Sequence, residues 1–336
     1  KACELAIKRI IENINKPFQT KELELFAIKV SIGVANYPND AESVEELMKF
    51  VDLSAYNGKK NKKNSVQFYS KSMKDASHDL IKIEQELRQA IANNEFELYL
   101  QPIIDVKTNC INKAEALIRW NHPENGLISP DQFIPIAEKS GLIIALGQWV
   151  ISRSCQIAKA INQLGYNVKI SMNLSPSQVT DVNLFSHLRS CIKDNQLNPG
   201  LLELEVTEGV LVDDYAVAEK LLSKVRMIGM SVSVDDFGTG YSSLAYLKKL
   251  PLDYLKIDRS FIKEIVTDDN DKAIVRAVIA MAHNLNLCVT AEGVETKEQL
   301  TFLINNSCNS VQGYMLSRPI KLEHFIKLLN EQKTIN

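Results

Sequence analysis

Eight short segments rich in β-branched and aromatic residues alternate with helical patterns over about 250 residues, and most end at or near an acid or an amide. These observations predict an α/β protein folded as a TIM-like (β/α)8 barrel. An open doubly wound sheet is the competing architecture, but no Gly-x-Gly-x-x-Gly follows any strand. The strands are expected at Phe96–Pro102, Lys113–Trp120, Val168–Leu174, Leu202–Thr207, Ser231–Val234, Tyr254–Ile257, Leu287–Ala291 and Ser310–Gly313.

The chain before the barrel forms a smaller α+β unit, residues 1–70. Leu5, Ala6, Ile10 and Ile14 share one face of an amphipathic helix over residues 1–16. Leu25–Ala35 has the pattern of a strand, and Asn36-Tyr-Pro-Asn-Asp40 that of a turn. Ser43 and Glu46 form a capping box, behind which Leu47, Val51 and Ala55 make a buried helical face. The basic run Lys59–Lys63 is expected as a solvated loop, and Val66–Tyr69 as a short strand. Such a unit is small for a core of its own. Residues 71–78 are polar and aperiodic, which suits a linker, and 79–336 form the second domain.

Leu80, Ile83, Leu87 and Ile91 mark a long helix that stops at Asn93 and Asn94. Within the barrel, Ser129-Pro-Asp-Gln132 and Ser175-Pro-Ser-Gln178 each offer Ser at N-cap, Pro at N1 and Gln at N3. One doubled gap, between Glu115 and Asn173, has room for two helices.

Bulk composition narrows the function classes. The net charge of −2 supplies no field for nucleic acid or anionic lipid. Six cysteines without a Cys-x-x-Cys argue against a zinc site or a disulfide framework and fit a reducing cytoplasm. The longest apolar run, Gly141–Ile151, is about half a bilayer span, and no signal peptide precedes the first helix. The chain opens inside an apparent helix without a methionine, so a fragment of a longer protein is expected.

In a barrel of this kind the chemistry sits at the C-terminal strand ends. Gln101 stands at the first, Glu115 and Arg119 at the second, and Asn173 at the third. Glu205 and Glu208 close the fourth, Asp235 and Asp236 the fifth, Lys256 the sixth, Glu292 the seventh and Gln312 the eighth. Gly238 and Gly240 allow a tight turn after the paired aspartates. So many acids on one rim repel one another unless cations intervene, and oxygen ligands select Mg²⁺ or Mn²⁺ over zinc. Asp235, flanked by further acids, suits a bridge between two ions, the arrangement for in-line hydrolysis of a phosphate ester. Proton abstraction of the enolase type, with carboxylate-bound Mg²⁺ and a lysine base, fits the same residues. A Schiff base at Lys256 does not, because surrounding acids hold the amine protonated. The five histidines form no cluster, and His122 is expected to be structural.

Glu115-Ala-Leu-Ile-Arg-Trp120 resembles the signature of the EAL-domain family, the bacterial cyclic di-GMP phosphodiesterases. The resemblance extends over residues 79 to 331 through Gln101-Pro-Ile, Gly126-Leu-Ile-Ser-Pro130, Asn173-Leu-Ser, Glu205-Val-Thr-Glu208, Asp235–Ser243, Leu255-Lys-Ile-Asp258, Ala291-Glu-Gly-Val-Glu295 and Gln312-Gly-Tyr. It implies a barrel with one antiparallel strand and Mg²⁺- or Mn²⁺-dependent hydrolysis of cyclic di-GMP to linear pGpG. It implies that Glu115, Asn173, Glu205 and Asp235 hold the first metal, and that Asp235 bridges to a second with Asp236 and Glu292 around it. Lys256 is then expected to orient the attacking water and Glu208 to brace the loop 236–243. Gln101, Arg119 and Gln312 are expected to contact substrate, with Asp258 and Glu295 as further substrate-binding candidates. A homodimer through the barrel is also implied. Gly209, where the family usually has Ser, is a minor departure. The alternative within the family is a catalytically silent cyclic di-GMP receptor, but such receptors lose metal ligands or the bracing acid, and none is lost here.

Val30-Ser-Ile-Gly-Val34, Tyr37-Pro-Asn-Asp40 and Asp52-x-x-x-Tyr56 resemble the C-terminal half of a GGDEF domain, the diguanylate cyclase module. The Gly-Gly-Asp/Glu-Glu-Phe turn is absent from this chain, and Lys62 stands in the glycine position of the closing motif. This piece is therefore not expected to act as a cyclase.

Overall fold

Alternation along Leu202–Thr207 puts Glu203 and Glu205 on one face and Leu202, Leu204 and Val206 on the other, yet all five are buried. A strand covered on both faces belongs to the inner layer of an α/β fold, with helices outside and side chains filling the middle. The computed structural model describes residues 2–14, 30–61, 66–70, 83–213, 215–238 and 247–335. The chain divides into two compact units, Lys1–Gln85 and Glu86–Asn336.

The second unit is a closed, eight-stranded mixed barrel. Its strands are β3 (Phe96–Asp105), β4 (Cys110–His122), β6 (Lys169–Leu174), β7 (Leu202–Thr207), β8 (Ser231–Phe237), β9 (Tyr254–Ile257), β10 (Cys288–Ala291) and β11 (Ser310–Val311). A short β5 (Gly126–Ile128), absent from the sequence-based expectation, pairs with the end of β4 as a hairpin. From β4 through β6 to β11 all neighbours are parallel, whereas β3 is antiparallel to both β4 and β11 and closes the ring. This single reversed strand corrects the all-parallel reading of the periodicity and agrees with what the family resemblance implied. β3 also runs on to Asp105, beyond the expected Pro102, so Gln101 lies mid-strand and not at a strand end, and it pairs in register with Glu115.

Two helices, Pro130–Ser140 and Ile143–Gln163, fill the doubled gap. Outward side chains such as Leu204, Val232, Leu255 and Val289 pack beneath Ile157, Leu188, Leu222 and Ile279 in one continuous core. Gly147, inside the second of these helices, leaves room for the Gln178 side chain, because a Cβ there would lie 1.5 Å from Gln178 Nε2. Gln178 Oε1 in turn accepts from the Ser175 backbone N–H at 2.8 Å and fixes the turn beyond Asn173.

The lumen is polar rather than aliphatic. At the N-terminal strand ends Lys113 pairs with Glu203 at 2.7 Å, and Lys169 donates to Ser231 at 2.6 Å and to the Tyr254 hydroxyl at 3.2 Å. Burial lowers the Lys113 ammonium pKa, against the pull of Glu203. His122 is structural: its Nδ1 accepts from the backbone of Glu124 and Asn125, and Trp120 meets its ring edge-on.

In the first unit β1 (Ile32–Val34) and β2 (Val66–Phe68) are parallel and covered by the helix Val44–Asn61. Phe50 of that helix stacks on Tyr69, with centroids 4.1 Å apart. The helix runs through Lys59 and Lys60 to Asn61, so the basic run begins as a helical end and not as a loop. Residues 25–29 of the expected strand, Leu80, Lys62, Lys63 and the linker 71–78 lie outside the described residues, as do residues 239–243 of the loop after Gly238.

Candidate active site

Register in the barrel decides which tips meet. Gln101 pairs with Glu115, Asn173 with Glu205, and Thr207 with Asp235, so acids and amides from neighbouring strands rise along one side of the rim. Lys256 of β9, 2% exposed, stands at their centre. Its Nζ lies 2.6 Å from Glu205 Oε2, 2.6 Å from Glu292 Oε1, 3.1 Å from Asp235 Oδ1 and 3.5 Å from Glu115 Oε2.

The acids respond differently to this setting. Burial opposes ionisation of Glu115, but Lys256, Gln312 and Asn173 outweigh it and hold the carboxyl below its ordinary value. Asn173 Nδ2 donates to Glu115 Oε1 at 2.6 Å and Gln312 Nε2 to Oε2 at 2.7 Å. Burial raises the Glu205 pKa well above normal despite Lys256, and Glu115 and Asp235 push the same way. Glu292 is pushed up to about 8 by burial, with Lys256 opposing and Asp235 and Glu115 adding. Burial tends to discharge Lys256, but Asp235, Glu115, Glu205 and Glu292 together raise its pKa. That charge balance supports the exclusion of Schiff-base chemistry.

Asp236 differs from its neighbour. The β8–β9 register breaks between Val234 and Phe237, and Asp236 takes a φ of 54°, a left-handed conformation that aspartate tolerates. The strand therefore continues to Phe237 instead of stopping at Val234 as the sequence suggested. Carboxylate oxygens of Glu115, Glu205 and Asp235 lie within 4.8 Å of one another, as do those of Asp235, Asp236 and Glu292. Asp235 belongs to both groups. Glu205 Oε1 is buried without a hydrogen-bond partner among the described residues. An orphaned buried carboxylate oxygen beside all-oxygen neighbours fits a hard divalent cation.

Glu208 opens the helix Glu208–Asp213, and its Oε2 accepts from the Gly238 N–H at 3.2 Å. Gln101 accepts from Gln312 at 3.0 Å and donates to the Ser317 carbonyl at 3.3 Å. Arg119 is half-buried, its guanidinium 5.5 Å from the Tyr99 ring. Asp258 caps the helix Arg259–Lys263 through Ser260 N–H at 3.0 Å, which occupies one of its oxygens. Glu295 is exposed on the loop after β10 and is not drawn into the acid cluster.

A cavity of about 460 Å³, lined by Ile118, Pro130, Ile134, Ile143, Asn173 and Asp236, opens beside the acids. Sequence reasoning did not assign this cavity to the site, although Asn173 and Asp236 were expected there and Pro130 closes the Gly126–Pro130 motif. Nor did it find Lys113, Lys169 and Glu203 in the lumen, where the two-residue spacing to Glu115, Ser171 and Glu205 was the available signal.

A mixed eight-stranded barrel whose mouth gathers acids and amides around one lysine defines the class. The chain belongs to the EAL-domain family: the model described as "EAL domain" matches residues 84–319, and "Diguanylate cyclase, GGDEF domain" matches residues 1–65. It is 40% identical over 324 residues to the cyclic di-GMP phosphodiesterase NbdA of Pseudomonas aeruginosa, covering 95% of this chain and 41% of that protein. It is 39% identical over 320 residues to the bifunctional diguanylate cyclase/cyclic di-GMP phosphodiesterase MucR of the same organism, covering 95% of this chain and 47% of that one. The solved structure of the PaMucR phosphodiesterase in complex with c-di-GMP superposes with a TM-score of 0.71 at 42% identity, covering 73% of this chain and 99% of that one. The chain thus spans less than half the length of these two curated relatives. Among the described residues no helix is long and apolar enough to cross a membrane.

Proposed function

We propose that this chain is a phosphodiesterase that hydrolyses cyclic di-GMP to linear pGpG with two divalent ions, Mg²⁺ or Mn²⁺. The carrying observation is the pair of carboxylate groups that share Asp235 around Lys256. Glu115, Asn173, Glu205 and Asp235 would hold one ion, and Asp235, Asp236 and Glu292 the other. Bound there, the ions supply Lewis acidity to the scissile phosphate and acidify the attacking water.

The chain's own groups do the rest. Lys256 orients the water through an ammonium N–H. Gln101, Arg119 and Gln312 meet the substrate from the β3–β4–β11 side, with Asp258 and Glu295 at the periphery. The apolar cavity beside Asn173 takes a purine base, since flat apolar walls with a few polar groups suit such a ring. Glu208 holds the Gly238 amide and so fixes where the loop leaves β8. The proposal places residues 79–336 as the catalytic domain after a GGDEF-like segment 1–70 and a linker 71–78, in the cytoplasm and as a homodimer. Light scattering tests the last of these, and limited proteolysis the boundaries.

Incubation with cyclic di-GMP and Mg²⁺, followed by chromatography, is the direct test. The proposal expects pGpG, its loss on chelation with EDTA, and its recovery with Mn²⁺. Glu115→Ala and Asp235→Ala should each lower kcat/KM by at least about a thousandfold, about 4 kcal/mol, in proteins that keep the wild-type circular dichroism. Tight binding without pGpG would make the chain a receptor instead.

A further inference from the structure

The carboxylates that would ligate metal are the same ones that hold Lys256. Its ammonium contacts Glu205, Glu292, Asp235 and Glu115 at 2.6, 2.6, 3.1 and 3.5 Å, and three of these four make up one of the two ion-sized groups. An ammonium has three N–H bonds, so four carboxylates already exceed its donors. A divalent ion entering this cage meets a fixed positive charge a few ångströms away, and in a buried site that repulsion is weakly screened.

We propose that Lys256 is a built-in surrogate cation that competes with the divalent ions for the rim, so that metal loading displaces its ammonium from at least one carboxylate. The inference rests on the metal reading above and adds two consequences. Lys256 holds the acid cluster together before the metal arrives, because four crowded carboxylates without a cation oppose folding. It also weakens metal affinity, so that occupancy follows the free divalent concentration. Displacement then frees the ammonium N–H that orients the attacking water, which couples loading of the site to readiness for chemistry.

The test measures Mn²⁺ binding by titration calorimetry and electron paramagnetic resonance on the full chain and its Lys256→Met, Lys256→Gln and Lys256→Arg variants. Thermal unfolding is followed with and without Mn²⁺. Both neutral variants should bind Mn²⁺ at least tenfold more tightly than the wild type, and Lys256→Arg should stay near it. Mn²⁺ should raise the Tm of Lys256→Met by more than it raises that of the wild type, since tighter binding stabilises more at equal ligand. A Lys256→Met protein that folds only with Mn²⁺ supports the proposal as well. Equal or weaker binding by both neutral variants overturns the competition while leaving the metal reading intact. If none of the four proteins binds Mn²⁺, the metal reading itself fails, and the inference with it.

Discussion

Lys113→Met separates the stability of the barrel from its chemistry. Lys113 and Glu203 are 4% and 1% exposed and meet at 2.7 Å at the end of the lumen opposite the acids. Removing one partner of a buried pair costs about 3–5 kcal/mol, because the other charge is left without water or a counter-ion. Here Lys169 lies 3.9 Å from the same Glu203 oxygen and can close part of the gap. That places the expected loss at the lower end, about 3 kcal/mol. For a unit of this size each kcal/mol moves Tm by about 2–4 °C, so a fall of about 6–12 °C is expected. Adding Glu203→Leu removes the orphaned charge and should bring stability back to within about 1–2 kcal/mol of the wild type. Urea unfolding followed by circular dichroism gives the free energies, and pGpG release at 20 °C gives kcat/KM, which should change less than about threefold. A single variant that loses under about 1 kcal/mol, or a double variant no better than the single one, would refute the reasoning.

Three other expectations follow from individual contacts. Gly147→Ala should destabilise by about 1–2 kcal/mol in chemical denaturation, although alanine normally favours a helix, because its methyl evicts Gln178 and frees the Ser175 turn. A neutral or stabilising result would mean that Gln178 relocates without cost. Gly238→Ala should lower kcat by at least about tenfold, since a φ of 100° and the Phe261 ring 2.8 Å from the new methyl displace the start of the loop that Glu208 holds. Unchanged kcat would show that this anchor is dispensable. Burial pushes the Cys155 and Cys308 thiols up to about 12, whereas Cys288 is exposed. Alkylation at pH 8 read by peptide mass spectrometry should therefore modify Cys288 well before the other two, and prompt labelling of Cys308 in folded protein would contradict its burial.

Much of this architecture was legible because element type is a local property. The two-residue alternation of Leu202–Thr207 and the Ser-Pro-x-Gln start at Ser175 are each complete within a few residues. The chemistry at the tips was legible for the same reason: Asp235 and Asp236 directly follow the alternating run Ser231–Val234, and Lys256 lies within a strand. Features that depend on distant partners escaped. The Lys113–Glu203 pair spans 90 residues, and although the two-residue spacing to Glu115 and Glu205 puts each on the lumen face, nothing local says that they meet. The left-handed Asp236 depends on a register break between two strands that only the closed sheet defines.

By itself, then, the sequence determined the number and kind of barrel strands and which polar side chains stand near their ends, because hydrophobic period and capping act over a single turn or strand. Tertiary structure alone decided which strand runs against its neighbours, that Gln101 lies beside Glu115, and how closely Glu115, Glu205, Asp235 and Glu292 approach the Lys256 ammonium. Closure of the ring sets the registers, and the registers set which charges share a site.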